Sequence, residues 1–133
     1  MLWFGKKSPP PIRSLVGEGT VVQGHLRFTD GLRIDGEVIG DVMAQGEGRS
    51  ILVISGNARV HGKVSASHVI INGEMRGPLH CTELLELQPK ARVVGNVRYE
   101  TLEMHPGATV EGELKPLKSS EKPSLKLAAS NEV

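Results

Sequence analysis

Apolar and polar residues alternate in short runs along most of this chain, and glycine breaks the alternation at intervals. Six segments share the pattern apolar-x-Gly-x-apolar, centred on Gly24, Gly36, Gly62, Gly73, Gly95 and Gly112. These glycines lie 12, 26, 11, 22 and 17 residues apart. All but the second spacing approach whole multiples of about 5.7, one third of a 17-residue turn, as a three-sided solenoid with glycine corners requires.

Longer alignments support this reading. Residues 85–100 (LELQPKARVVGNVRYE) lie over 102–117 (LEMHPGATVEGELKPL), and 52–67 (LVISGNARVHGKVSAS) matches both. A second kind of turn places 32–44 (LRIDGEVIGDVMA) over 69–81 (VIINGEMRGPLHC), and 15–31 is the loosest copy. Six turns are predicted, beginning near 15, 32, 52, 69, 85 and 102. Within each, matched apolar residues alternate with polar ones, so every segment reads as a strand with one buried face. The turn at 32 is about three residues too long, and its surplus falls in the polar, Gly-rich stretch Gln45–Ser50, read as a loop at one edge. The prediction is an all-β, single-domain parallel β-helix with three strand faces per turn, over 15–116. Residues 1–14 are expected to be a disordered arm and 117–133 a disordered tail, with a weak helical signal at 124–129.

Composition fits this architecture. The 133 residues contain one Trp, one Tyr and two Phe, so the core rests on Val, Ile, Leu and Ala in stacked layers rather than on aromatic burial. Residues 15–116 carry 10 Lys+Arg against 13 Asp+Glu, a net charge of −3, whereas the whole chain is +1. The body therefore lacks a basic nucleic-acid footprint, and no nucleic-acid partner is expected. Cys81 is the single cysteine, which fits a reducing compartment. With no long apolar run, the expected location is cytoplasmic.

Catalytic and cofactor motifs are not evident. Gly62-Lys63 and Gly5-Lys6 lack the rest of a phosphate-binding loop, and the Gly-rich Ca²⁺ nonapeptide does not occur. No histidine column forms when the turns are stacked, and Cys81 shares an inward slot with Ala44. No catalytic, cofactor or metal residues are therefore assigned. One surface feature emerges: Arg59, Arg76 and Arg92 fall in one outward position of three successive turns in this alignment, a candidate stripe for an anionic partner. At the N-terminus, Met1, Leu2, Trp3 and Phe4 stand beside Lys6 and Lys7, which pairs insertable apolar area with cations and reads as a membrane anchor.

The turns Ile34-Asp-Gly-Glu-Val38-Ile-Gly40 and Ile71-Asn-Gly-Glu-Met75-Arg-Gly77, with Ala91-Arg-Val-Val-Gly-Asn-Val97, resemble the bactofilin family over roughly 15–116. That resemblance implies a right-handed β-helix and a bacterial cytoskeletal protein. It would polymerise without nucleotide at the inner face of the cytoplasmic membrane and scaffold cell-shape or cell-wall machinery. Where family members often carry an exposed aromatic near the last turn, residues 102–116 have none. Leu102, Met104, Val110 and Leu114 are the expected contacts at the C-terminal end, and Leu15, Val16, Val22, Leu26 and Phe28 those at the N-terminal end. Physics points the same way, because an uncapped β-helix end leaves backbone groups and apolar cross-section unpaired. The alternatives are a monomeric β-helical binding module and a hexapeptide-type acyltransferase. The acyltransferase would need a strict six-residue repeat and a histidine-bearing extended loop.

Overall fold

The computed structural model describes residues 10–117. They form a parallel β-solenoid of six turns, each running over three strand faces, with no helix among the described residues. The first face holds Ile12–Val16, Gly31–Ile34, Ile51–Ile54, the second halves of Val64–Ile71 and Leu79–Leu87, and Thr101–Met104. The second face is a six-stranded sheet of Val21–Gln23, Glu37–Ile39, Arg59–His61, Glu74–Arg76, Arg92–Val94 and Thr109–Glu111. The third holds Leu26–Phe28, Val42–Ala44, the first halves of Val64–Ile71 and Leu79–Leu87, Val97–Tyr99 and Leu114–Pro116. The two long strands run unbroken from the third face into the first and join those faces into one ten-stranded sheet.

Alternation makes the core. On the second face Val38, Val60, Met75 and Val93 stack in register and are fully buried. On the first face Leu52, Val69 and Leu85, and beside them Ile54, Ile71 and Leu87, do the same. Each column shields its neighbours from water along the axis, so burial depends on having a turn above and a turn below.

The three corners differ. The corner between the second and third faces carries one glycine column: Gly24, Gly40, Gly62, Gly77, Gly95 and Gly112, all at positive φ. A Cβ on Gly95 would strike the backbone oxygen of Gly77, and a Cβ on Gly112 that of Gly95. Stacked turns thus meet backbone to backbone, which only glycine allows. Gly36 and Gly73 do not belong to this column. They sit at the corner between the first and second faces, where a Cβ would strike Thr20 O and Ser55 O respectively.

This first corner comes in two lengths. Four residues make it in turn 1 (17–20), turn 3 (55–58), turn 5 (88–91) and turn 6 (105–108), each closed by an i to i+3 backbone hydrogen bond such as Ala58 N–H to Ser55 O at 3.0 Å. Two residues suffice in turn 2 (Asp35-Gly36) and turn 4 (Asn72-Gly73). The difference shifts the predicted register of the second face by two residues in those turns. Arg76 therefore pairs with His61 and Val94, while Arg59 and Arg92 both flank Glu74. The expected three-arginine stack does not form.

At the third corner the Gln45–Ser50 stretch bulges as a loop, as the surplus length of that turn predicts. It is fastened back by Arg49, whose Nη2 lies 2.8 Å from Glu83 Oε1 two turns away. Ser50 and Ser67 exchange hydrogen bonds beneath it, Ser67 N–H donating to Ser50 Oγ at 3.0 Å. The solenoid begins earlier than the boundary at 15, because Ile12 already pairs with Gly31. The membrane-anchor candidates Met1–Lys7 and the helical signal at 124–129 lie outside the described residues.

Candidate assembly ends and notched edge

The inward columns that are fully buried in mid-solenoid become accessible at its last turn. The column of Val42, Val64, Leu79 and Val97, all within 1% of full burial, ends in Leu114 at 37% exposure. The column of Ile54, Ile71 and Leu87 ends in Met104 at 46%. Leu102 and Val110 are half-buried against the core at the same end. All four residues expected at the C-terminal end thus lie in one apolar cross-section.

The N-terminal set divides. Val22 and Leu26 lie half-buried in the first layer of the core columns. Val16 and Phe28 are buried within their own subunit. Leu15 stands in register with Arg33 and faces outward at 62% exposure, so it flanks the end rather than paving it. Its neighbour Ser14 occupies the inward slot above Leu32.

On the second face the true outward register is Glu37, Arg59, Glu74, Arg92, an alternation of charge across successive strands. Opposite charges in register stabilise a sheet where like charges would oppose it. Arg76 adds a contact within its own strand, its Nε 2.6 Å from Glu74 Oε2, and this hydrogen bond holds the Glu74 carboxyl below its usual range against the opposing effect of burial. The arginines are therefore locally balanced, which weakens the case for an anion-binding stripe.

The two short corners have a consequence that the glycine pattern alone did not reveal. Each recesses its turn between longer neighbours and leaves a notch on that edge. The notch at turn 2 is lined by Glu18, Asp35, Glu37, Asn57 and Arg59. The notch at turn 4 is lined by Asn57, Arg59, Glu74, Lys90 and Arg92. One edge thus carries an acidic recess toward the N-terminal end and a basic one toward the C-terminal end. The dipeptides Asp35-Gly36 and Asn72-Gly73 suit tight turns, but the apolar-x-Gly-x-apolar pattern they share with the other corners masks the difference in length.

Histidines and the cysteine take structural places. His61 lies between Ile39 and Arg76, and His80 between Ser65 and Arg98, so no histidine column forms among the described residues. His105 approaches Glu86 at 3.4 Å and Glu103 lies close by, on an exposed surface. Cys81 is buried, with its Sγ 3.1 Å from the carbonyl oxygen of Ser67 and 3.0 Å from that of Leu84, and its one S–H donates to one or the other. Burial pushes its thiol up to about 11, which suppresses the reactive thiolate.

Comparison with known proteins gives a consistent picture. Residues 14–115 match the family model Bactofilin, described as polymer-forming cytoskeletal. The chain is 22% identical over 111 residues to bactofilin BacO of Myxococcus xanthus, an alignment covering 84% of this chain and 85% of BacO. It is 25% identical over 101 residues to bactofilin BacP of the same organism, covering 76% of this chain but only 40% of BacP. A crystal structure of a mutant bactofilin from Thermus thermophilus superposes with a TM-score of 0.63 at 32% identity, covering 69% of this chain and 98% of that one.

Proposed function

Because the chain belongs to the bactofilin family of polymer-forming cytoskeletal proteins rather than to a family of enzymes, we propose that it assembles end to end into filaments without nucleotide. In this reading the filaments lie at the inner face of the cytoplasmic membrane, held by the Met1–Lys7 arm, and organise cell-shape or cell-wall proteins. The observation that carries the end-to-end part is the change along each core column, from full burial in mid-solenoid to 37% and 46% exposure at Leu114 and Met104. A further turn supplied by another copy would bury them as Val97 and Leu87 are buried. The membrane part rests on the sequence of the arm alone: Trp3 and Phe4 supply insertable area and Lys6-Lys7 attract anionic headgroups.

Leu114→Arg tests the end contact, since an unpaired cation in an apolar interface costs several kcal/mol (roughly 3–5). Ile39→Arg serves as its control, being similarly exposed at 40% but on the side of the solenoid. Filament pelleting and negative-stain microscopy should show assembly lost in Leu114→Arg and retained in Ile39→Arg, with both proteins folded by circular dichroism. Filaments of Leu114→Arg at wild-type concentration would remove the last turn from the interface.

A further inference from the structure

The geometry points to a peptide-binding site on the notched edge, for an extended segment of a partner protein whose charge changes sign along its length. An acidic side chain of that segment enters the turn 4 notch, and a cationic one three residues away enters the turn 2 notch. The turn 4 notch collects cations: Arg59 and Arg92 reach it from the second face, and Lys90 from the corner of turn 5. The Lys90 stem crosses the recessed turn, its Cδ lying 3.8 Å from where a Cβ on Gly56 would stand. Glu74 is the one carboxylate among the lining residues, and Arg76 already engages it. Arg92 also has Glu111 at 3.8 Å, a loose contact between side chains more than half exposed. The recess therefore gathers more positive charge than its own carboxylate balances. A carboxylate suits such a site, because guanidinium groups bind it through paired hydrogen bonds.

The turn 2 notch has the opposite sign. Asp35 there accepts a hydrogen bond from Arg33 at 2.9 Å, and Glu37 stands in register with Arg59. Glu18, exposed at the rim, is thus the carboxylate open to an incoming cation. Two turns separate the notches, about 9.6 Å along the axis at ~4.8 Å per turn. A polyproline II segment fits that interval, since three residues rise about 9.3 Å and return the side chain to the same side. The crest between the notches is the corner of turn 3. Asn57 is exposed there and lines both recesses, so its amide is placed to donate to, and accept from, a backbone lying across it. Beside it, Gly56 has no positive φ, and an added Cβ would meet nothing nearer than 3.6 Å. The fold does not demand glycine at this crest, whereas a closely passing backbone benefits from one. The change of sign over two turns sets such a segment apart from a nucleic acid or an anionic bilayer, either of which would bring further negative charge to Glu18. This inference rests on the partner-recruiting part of the proposed function and not on end-to-end assembly.

Fluorescence anisotropy of labelled peptides, titrated with the full-length protein, tests this directly. The probes are Pro-Glu-Pro-Pro-Lys-Pro and Pro-Lys-Pro-Pro-Glu-Pro, which cover both chain directions, with Pro-Glu-Pro-Pro-Glu-Pro and Pro-Gln-Pro-Pro-Gln-Pro as comparisons. In about 0.05 M NaCl one mixed-charge probe should bind about fivefold or more tightly than either comparison, and the advantage should shrink in about 0.5 M NaCl as screening shortens. Lys90→Glu and Glu18→Lys should each weaken that probe about fivefold. Gly56→Val, which adds bulk at the crest, should weaken it as well. Arg98→Glu, an equal change of charge on the exposed side of the third face, should leave binding unchanged. Equal binding of the all-acidic probe, or an equal loss in Lys90→Glu and Arg98→Glu, overturns the proposal. Anisotropy reads binding to single subunits and to filaments alike, so it gives its answer even if the end-to-end reading fails.

Discussion

At the scale of single residues, His68 departs from the simple inside–outside rule. It sits on the outward side of the first face between Ile51 and Leu84, yet its Nε2 is buried without a hydrogen-bond partner. Burial holds its pKa below the usual imidazole value, with Glu86 opposing that shift. The unfolded chain therefore binds the proton more readily than the folded one. Stability contributed by the neutral ring is present above about 6.5, the unfolded value, and is lost as pH falls from there toward the folded pKa. His68→Leu removes both the titration and the unsatisfied nitrogen. Its melting temperature near pH 8 should equal or exceed that of the wild type, and the decline between pH 7 and pH 5 should be shallower. Parallel curves for the two proteins would assign the acid sensitivity to other groups.

At the scale of the turn, the second corner is the least tolerant place in the fold. Gly95→Ala imposes a Cβ both on a φ of +141° and on the backbone oxygen of Gly77. It should cost about 2 kcal/mol or more in urea unfolding. Gly48, in the Gln45–Ser50 loop, has open space around it and ordinary φ, so Gly48→Ala should stay within about 0.5 kcal/mol of wild type. Comparable losses for both would mean that the glycine column is not where the turns lock together.

The same scale shows what could be read from the sequence. The number of turns, the loop at 45–50 and the inward columns were legible because apolar residues recur at fixed positions over six copies. The corner lengths were not. Ile34-Asp-Gly36-Glu-Val38 and Val60-His-Gly62-Lys-Val64 share one pattern, yet the first turns a two-residue corner and the second a positive-φ corner on the opposite side of the second face. Two different steric demands, close backbone approach and left-handed φ, select the same residue. A period count that merges them misplaces Arg76 by two positions and leaves the notches unseen. The end residues Leu102, Met104, Val110 and Leu114 could be named because they continue columns already aligned. Phe28 and Val16 could not be recognised as self-buried without knowing the path of the first turn.

At the scale of the whole molecule, the fold has no interior layer that distinguishes one copy from the next. If the last turn is completed by another copy, folding and assembly are linked, and association should raise the apparent stability by mass action. The melting temperature of the wild type should climb with protein concentration through the assembly range. That of Leu114→Arg should stay flat and match the wild type at high dilution. A concentration-independent wild-type melt, in a sample where filaments are visible, would mean that end contacts add nothing to the subunit's own stability.

The turn-to-turn hydrogen bonds all point along the solenoid axis, while the covalent chain circles that axis and climbs only about 4.8 Å per circuit. Tension applied lengthwise is thus carried by the hydrogen-bond ladders of three faces acting side by side, with the peptide bonds almost unloaded. Such a rod is stiff in tension until a whole layer gives way together. Inside a subunit each layer is backed by buried columns and by fasteners such as Arg49 to Glu83, which ties turn 2 to turn 4. At a joint of the proposed end-to-end kind, the covalent chain would not pass from one copy to the next. A filament stretched lengthwise would part at such joints, releasing intact subunits that can rejoin. The load limit would be set by the apolar cross-section around Leu114 and Met104, so the side chains at a subunit's end would act as a mechanical fuse for the whole fibre.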